Sequence, residues 1–331
     1  MMKKKMLSLG IGFCLAGMAL MSHAAEPAQG EVFRIGMIGL DTSHVIAFTS
    51  MLNDPSHPDH VPGCKVVAAF KGGSPEIESS ISRVDGYTQQ LQEKWGVKLY
   101  DTIPELCKHV DGIMLESVSG TPHLEQARPV IEAGLPLFID KPMAASLADA
   151  LEIARLAKAK GVPWFSASSL RFWTEVQKAA SEDVVGDVIG CDAYSPCAYE
   201  PHHPDLFWYG IHGVEILYTV MGTGCQQVTR VSTPDTDFVV GLWDDGRIGT
   251  FRGTRKGNHG YGCTTFGTKG NYTASGHSYK GLMEAVVKFF QTNEPPFPNE
   301  ETLELLAFME AAQDAKANPG SPVKLPSITI E

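Results

Sequence analysis

The sequence predicts an α/β chain built in two parts, a doubly wound parallel sheet followed by an α+β domain with a mostly antiparallel open sheet. Three observations predict it. Between residues 33 and 169, short apolar runs alternate with stretches of helical period over short connections, as in crossover units. The opening run "FRIGMIGL" is apolar on both faces and ends at a glycine, like a buried strand entering a turn. After Arg171 the period changes, and alternating stretches such as "FVVGLWDDGRIGTFRGTR" dominate.

Each element follows from its residues. "FRIGMIGL" is a strand and "VIAFTSMLND" the helix after it; "CKVVAAF" is a second strand. "GYTQQLQEKWG" reads as a helix, "VKLYD" as a short strand, and "TIPELCKHV" as a helix opening on a Thr cap. "DGIMLES" and "PLFID" are strands. The helices "HLEQARPVIEAG" and "SLADALEIARLAKAKG" close on Gly134 and Gly161. "PWFSASS" returns to strand, completing a Rossmann-type domain over residues 31–170. In residues 171–331, "FWTEVQKAASE" is a helix, "VIGCDAYSP" a strand, and "HGVEILYTVMG" a helix after a His-rich loop. "QQVTRVSTP" and "YGCTTFGTKGNYTAS" flank a hairpin marked by "DDGR", and two helices, "LMEAVVKFFQTN" and "NEETLELLAFMEAAQDAKA", end the chain.

The first 24 residues stand apart. Lys3, Lys4 and Lys5 precede an apolar run from Met6 to Met21, and Ser22-His23-Ala24 supplies small residues at a cleavage site. A Sec-type signal peptide is expected, with a periplasmic product and no membrane anchor after cleavage. Its removal takes three lysines and no acids, moving the formal charge from -11 to -14. So acidic a chain, with no basic patch, gives no reason to expect a nucleic-acid partner. The remaining cysteines, Cys64, Cys107, Cys191, Cys197, Cys225 and Cys263, show no C-x-x-C spacing and read as buried small hydrophobes, although an oxidising compartment permits a disulfide.

Strand ends and loops direct polar side chains toward one cleft between the domains. The first domain contributes Asp41, Ser43, His44, Glu116, His123, Asp140 and Lys141; the second contributes Tyr199, His202, His203, Asp205, His212 and Glu215. Glu116 leaves an apolar strand and needs a partner or a ligand. His123 either organises its helix start or faces the cleft. Arg171 in "SSLRF" locks the domain junction or meets an anionic group, and Trp208 and Tyr209 either stack on a sugar face or join the core. His212 and Glu215, three apart on one helix face, with His202 or His203 nearby, admit a divalent-metal reading beside the structural one.

Four segments carry a resemblance: "IGMIGLDTSH", "TPHLEQARPVIEAGLPLFIDKP", "SSLRF" and "FWYGIHGVEILYTVMG". With them the chain resembles the Gfo/Idh/MocA oxidoreductases over nearly all of its length after the leader. The resemblance implies NAD(P)-dependent chemistry on a carbohydrate or polyol. It implies Lys141 as the hydrogen-bonding or proton-transferring residue and His212 as general base, with Glu116 a further acid–base candidate. The dinucleotide would lie along Gly36, Gly39, Asp41, Ser43, His44, Lys71, His123 and Asp140, and the substrate along Arg171, Tyr199, His203, Trp208 and Glu215. The family commonly associates through the face of its second sheet, which implies a homo-oligomer.

The residues also depart from the family pattern. Asp41 and His44 stand where the second and third glycines of G-x-G-x-x-G belong, Lys71 where an acid usually meets the ribose, Asp140 where Glu precedes Lys-Pro, and Trp208 where Asp precedes the helix His by four. A carboxylate about 4 Å from a phosphate costs roughly 1 kcal/mol per charge pair in water and more where water is excluded. Three functions therefore compete on sequence alone: the redox enzyme, a non-redox sugar lyase, epimerase or glycoside-cleaving enzyme, and a periplasmic sugar-binding protein.

Overall fold

The computed structural model describes residues 32–257 and 260–330; the leader expected over residues 1–24 lies outside them. The first sheet is built from β1 (Phe33–Ile38), β2 (Cys64–Phe70), β3 (Lys98–Leu99), β4 (Gly112–Leu115), β5 (Leu137–Asp140) and β6 (Trp164–Ala167). Its order is β3-β2-β1-β4-β5-β6 and every pairing is parallel. Both faces are covered, which is why β4, β5 and β6 show no apolar–polar alternation: all their residues are buried, Asp140 and Ser166 included. The covering helices are α1 (Ser43–Asn53), α2 (Glu78–Ile81), α3 (Val84–Trp95), α4 (Ile103–Cys107), α5 (His123–Glu132) and α6 (Leu147–Lys160). Thr102 and Ser146 cap α4 and α6 as their positions suggest, and Gly161 ends α6 in the left-handed region.

The chain then passes a 3-10 turn (Ser169–Phe172), α7 (Thr174–Ala179) and α8 (Glu182–Val185) into the second sheet. That sheet contains β7 (Val188–Pro196), β8 (Cys225–Ser232), β9 (Thr236–Trp243), β10 (Ile248–Thr254), β11 (Gly262–Gly267), β12 (Asn271–Ser275) and β13 (Val323–Lys324). Its order is β12-β11-β7-β10-β9-β8-β13, antiparallel except for β7 beside β10. The "DDGR" hairpin joins β9 to β10, with Trp243 N–H on Arg247 O at 2.9 Å and Gly246 at φ +87°. The expected helix at "HGVEILYTVMG" is α9 (Ile211–Met221), preceded by a π turn, Leu206–Gly210, where a loop is expected. α9 crosses the inner face of β7 and β10, and a Cβ on Gly213 would lie 2.3 Å from the Phe251 ring, so glycine sets that approach.

Two later helices, α10 (Lys280–Thr292) and α11 (Asn299–Ala317), return to the first sheet. α10 buries Leu282, Met283, Val286, Phe289 and Phe290 in the core on the α1 side of that sheet, where Phe290 stacks on Phe33 at 5.1 Å between centroids. Each such side chain contributes roughly 1.5–3 kcal/mol by leaving water. The core on the other side of the first sheet runs unbroken into the inner face of the second. Sites formed where the sheets meet are thus held by packing on both sides. The six cysteines of the described residues are free and buried.

Candidate active site

The first sheet reverses its strand order between β1 and β4, and there the strand ends open a crevice. A cavity of about 360 Å³ occupies it, between the N-terminus of α1 and the second sheet. Thr42, Ser43, His44, Ser79, Arg83, Val118 and Lys141 line it from the first sheet's side. Trp208, Tyr209, His212, Tyr261, His277 and Tyr279 line it opposite. An arc of rings joins its ends: His44 to Tyr279 at 5.2 Å, Tyr279 to His277 at 6.4 Å, His277 to Tyr261 at 5.7 Å and Tyr261 to His212 at 5.5 Å. The Tyr209 and Tyr261 hydroxyls meet at 3.1 Å, and burial pushes the Tyr261 phenol up, so that it stays protonated.

Lys141 directly follows β5 and stands 5.9 Å from the centre of the Tyr209 ring. His212, on the first turn of α9, shares a 2.8 Å hydrogen bond through Nδ1 with Ser168 Oγ, which leaves Nε2 for the cavity. Burial first, then the charge of Lys141, drives the His212 imidazole well below its ordinary pKa, so it is neutral. On the opposite wall His44 Nδ1 lies 2.7 Å from Asp140 Oδ2. Burial pushes Asp140 up, but His44 and Lys141 outweigh it and hold the carboxyl low. Behind this pair Glu116 is fully buried with neither oxygen partnered; burial and repulsion from Asp140 push it well above the carboxylate range, favouring the neutral acid.

The dinucleotide turn differs from the sequence expectation. Gly39, at φ +83°, is pressed against Ser117, whose Cα would be 2.5 Å from an added Cβ; Gly36 is core packing inside β1. Asp41 does not point into the cavity. It is fully buried, with Oδ1 accepting the Val118 N–H at 2.9 Å and Oδ2 the Ser80 hydroxyl at 2.7 Å, tying together the loops after β1, β2 and β4. The predicted clash of its charge with a phosphate is therefore corrected: the carboxylate is spent inside the protein. What lines the cavity at the α1 N-terminus is Thr42, Ser43 and His44, with Ser79 and Arg83 beside them. Hydroxyls, a guanidinium and a helix N-terminus suit a diphosphate, so these residues fit a dinucleotide.

Several predicted residues lie elsewhere. Lys71 pairs with Asp85 at 2.5 Å outside the cavity, and Arg83 takes the place expected for it. His123 is buried at the start of α5, its ring nitrogens 3.1 Å from Met143 O and 3.0 Å from Ser117 O, so it organises that turn. His203 accepts the Gly120 N–H at 3.2 Å, and burial holds its pKa at about 4. Arg171 is the junction lock: it ion-pairs with Glu215, reaches Glu301 at 2.7 Å and stacks on Phe297. Tyr199 and Asp205 belong to a charge cluster built around buried Arg230 and Asp237 of the second sheet, with Arg255 and Lys316 of α11 at its rim.

The metal reading is corrected as well. His202 is exposed on Glu200, His212 is bonded to Ser168, and Glu215 is taken by Arg171, so the three do not converge. Among the described residues the group whose geometry suits three ligands is instead His44, Glu116 and Asp140, within 4.8 Å of one another. Sequence reasoning missed Ser79, Arg83, Tyr261, His277 and Tyr279. The signal for three of them was present, since "GYGC" and "GHSYKG" place rings in glycine-flanked ends of β11 and β12.

Residues 33–168 match the family model of the Gfo/Idh/MocA proteins, an oxidoreductase family with an NAD-binding Rossmann fold. A Streptococcus pneumoniae protein described as an uncharacterized oxidoreductase is 25% identical over 164 residues, 46% of this chain and 43% of its own. The Escherichia coli uncharacterized oxidoreductase YhhX is 26% identical over 128 residues, 35% of this chain and 34% of its own. This chain thus spans less than half the length of those curated relatives. Among solved structures, myo-inositol 2-dehydrogenase from Lactobacillus plantarum superposes with a TM-score of 0.73 at 16% identity, covering 89% of this chain and 100% of the other. The scyllo-inositol dehydrogenase from Lactobacillus casei, bound to NAD(H) and scyllo-inositol, gives 0.72 at 16%, covering 90% and 100%. A probable dehydrogenase from Thermotoga maritima gives 0.70 at 21%, covering 88% and 98%. At such identities the structural likeness is one of fold. Residues 33–168 are thus similar to the NAD-binding Rossmann domain of the Gfo/Idh/MocA oxidoreductases.

Proposed function

We propose that this protein is an NAD(P)-dependent dehydrogenase of a small polyhydroxylated substrate, a sugar or cyclic polyol. One observation carries the reading: a single cavity sets Lys141 and His212 beside the α1 N-terminus, so a nucleotide end and a hydroxyl-binding end are continuous. Thr42, Ser43, Ser79 and Arg83 hold the dinucleotide, which supplies the hydride acceptor. Trp208 and Tyr209 offer ring faces to the apolar side of a sugar, and Tyr261 and His277 offer polar edges. Lys141 donates a hydrogen bond to the reacting oxygen and stabilises negative charge developing there; neutral His212 hydrogen-bonds the same hydroxyl or its neighbour through Nε2. The inositol dehydrogenases of like fold support the substrate class.

The test is direct. Purified protein is incubated with NAD+ or NADP+ and a panel of inositols, aldoses and glycosides, with absorbance at the nicotinamide band and mass spectrometry of the product. Reduction of the nucleotide with loss of two hydrogens from one substrate is expected; no turnover with any pair, and no nucleotide binding by calorimetry, overturns the reading. The leader from Lys3 to Ala24 supports export to the periplasm, which N-terminal sequencing of the mature protein checks. Exposed Val231, Leu242, Ile248 and Phe266 on the outer face of the second sheet support self-association there, read by light scattering.

A further inference from the structure

We propose that His44, positioned by Asp140, is the proton acceptor of this site, in place of His212; the proposal rests on the dehydrogenase reading. Both imidazoles line the same cavity, but their surroundings are opposite. His44 Nδ1 is 2.7 Å from Asp140 Oδ2, which fixes Nδ1 as the protonated nitrogen and turns the Nε2 lone pair outward. No described residue hydrogen-bonds Nε2. The ring is held by Phe48 at 4.8 Å and Tyr279 at 5.2 Å, so its direction is set before substrate arrives. A proton reaching His44 forms an ion pair with Asp140. A proton reaching His212 meets Ser168 Oγ, which offers no charge, and the Lys141 ammonium, which repels it.

The charged and titratable groups around His44 come from four elements: Asp140 and Lys141 at the end of β5, Glu116 after β4, Tyr279 and His277 before α10, and His212 on α9. Glu116 in its neutral form leaves Asp140 as the one full negative charge behind the imidazole. The step balances simply. The substrate O–H proton would pass to His44 Nε2, leaving an imidazolium paired with Asp140, and the dinucleotide, when bound, would supply the acceptor for the C–H hydride as the carbinol becomes a carbonyl.

The same three residues form the cluster that suits a metal ion, and distance decides between the roles. Nitrogen and oxygen ligands sharing one divalent ion at roughly 2.1 Å each stand roughly 3 Å or more apart. The 2.7 Å between His44 and Asp140 is instead a charge-assisted hydrogen bond.

The experiment compares pH profiles of kcat and nucleotide binding for the unmodified protein, His44→Ala, His212→Asn and Asp140→Asn. His44→Ala is expected to lose roughly 10²–10⁴ in kcat, to lose the acid limb of its profile, and to regain part of its rate with added imidazole. Asp140→Asn is expected to lower kcat and displace the limb. His212→Asn is expected to slow turnover while keeping the limb. An unaltered limb in His44→Ala, loss of the limb in His212→Asn, or a stoichiometric divalent ion that disappears in Glu116→Gln overturns the assignment while leaving a dehydrogenase. An unmodified protein inactive with every substrate and nucleotide overturns the dehydrogenase reading and this assignment with it.

Discussion

Replacing Asp41 with glycine restores the family's glycine pattern and so separates two accounts of this residue. If its charge repels a diphosphate, Asp41→Gly binds NAD(P) more tightly at little cost in stability. The structure predicts the reverse. The carboxylate accepts two buried hydrogen bonds, from Val118 N–H and Ser80 Oγ, across three loops. Hydrogen bonds to a charged group contribute roughly 1.5–3 kcal/mol each, and a new glycine adds roughly 0.5–1 kcal/mol of lost backbone entropy. A loss of about 5 kcal/mol is therefore expected, which at about 2–4 °C per kcal/mol lowers Tm by roughly 10–20 °C. Nucleotide binding weakens too, because the freed segments lead into α1 at Ser43 and include α2 with Ser79. Asp41→Asn, whose carbonyl still accepts from Val118, falls between. Circular dichroism melts and calorimetric titration measure both quantities. A glycine variant of unchanged Tm with tighter NAD(P) binding refutes the reasoning.

Three further outcomes follow from the geometry. Arg171→Met strands buried Glu215 without its cation and is expected to cost about 3–5 kcal/mol in urea denaturation, much of it recovered by Glu215→Gln in the same chain. His203, with its folded pKa about 4 against 6.5, is kept neutral by burial; its contribution is complete above pH 6.5 and is lost as pH falls toward 4, so His203→Gln, still able to accept from Gly120, flattens that part of the stability profile. Asp237, held at about 2 against 3.8 despite burial by Ser232, Tyr199 and Arg230, contributes stability above pH 3.8 that disappears between 3.8 and 2, an acid transition that Asp237→Asn removes from a Tm series.

Much of the fold was legible because burial on both sides of a parallel sheet leaves an unmistakable mark. Continuous apolar runs such as Gly112–Leu115 and Leu137–Asp140 have no other economical place, and the turn residues after them mark the crossings. The return of α10 to the first sheet was not legible, since its apolar face fits either core equally well by period alone. Of the candidate residues, Ser43, His44, Lys141, Trp208 and His212 line the cavity between the sheets. Tyr199, Glu215 and Arg171 do not, because a charged residue in sequence does not disclose whether its partner is a ligand or another buried charge. Arg230, fully buried beneath Tyr199, is the partner that claimed that residue. Asp41 carried a sound electrostatic argument to the wrong address: the repulsion is real only if the side chain faces the cavity, and a hydroxyl 39 residues later turns it away.

The π turn at Leu206–Gly210 bears on how such a site changes over time. A wide turn is an ordinary helix holding one surplus residue, and a helix advances about 100° per residue. Excision of a single position there leaves α9 seated on its sheet, yet swings Trp208 and Tyr209 by about a quarter-circle relative to His212. Such a change re-aims rings that line the cavity, and it also moves Leu206 and Phe207, which the same turn buries in the core.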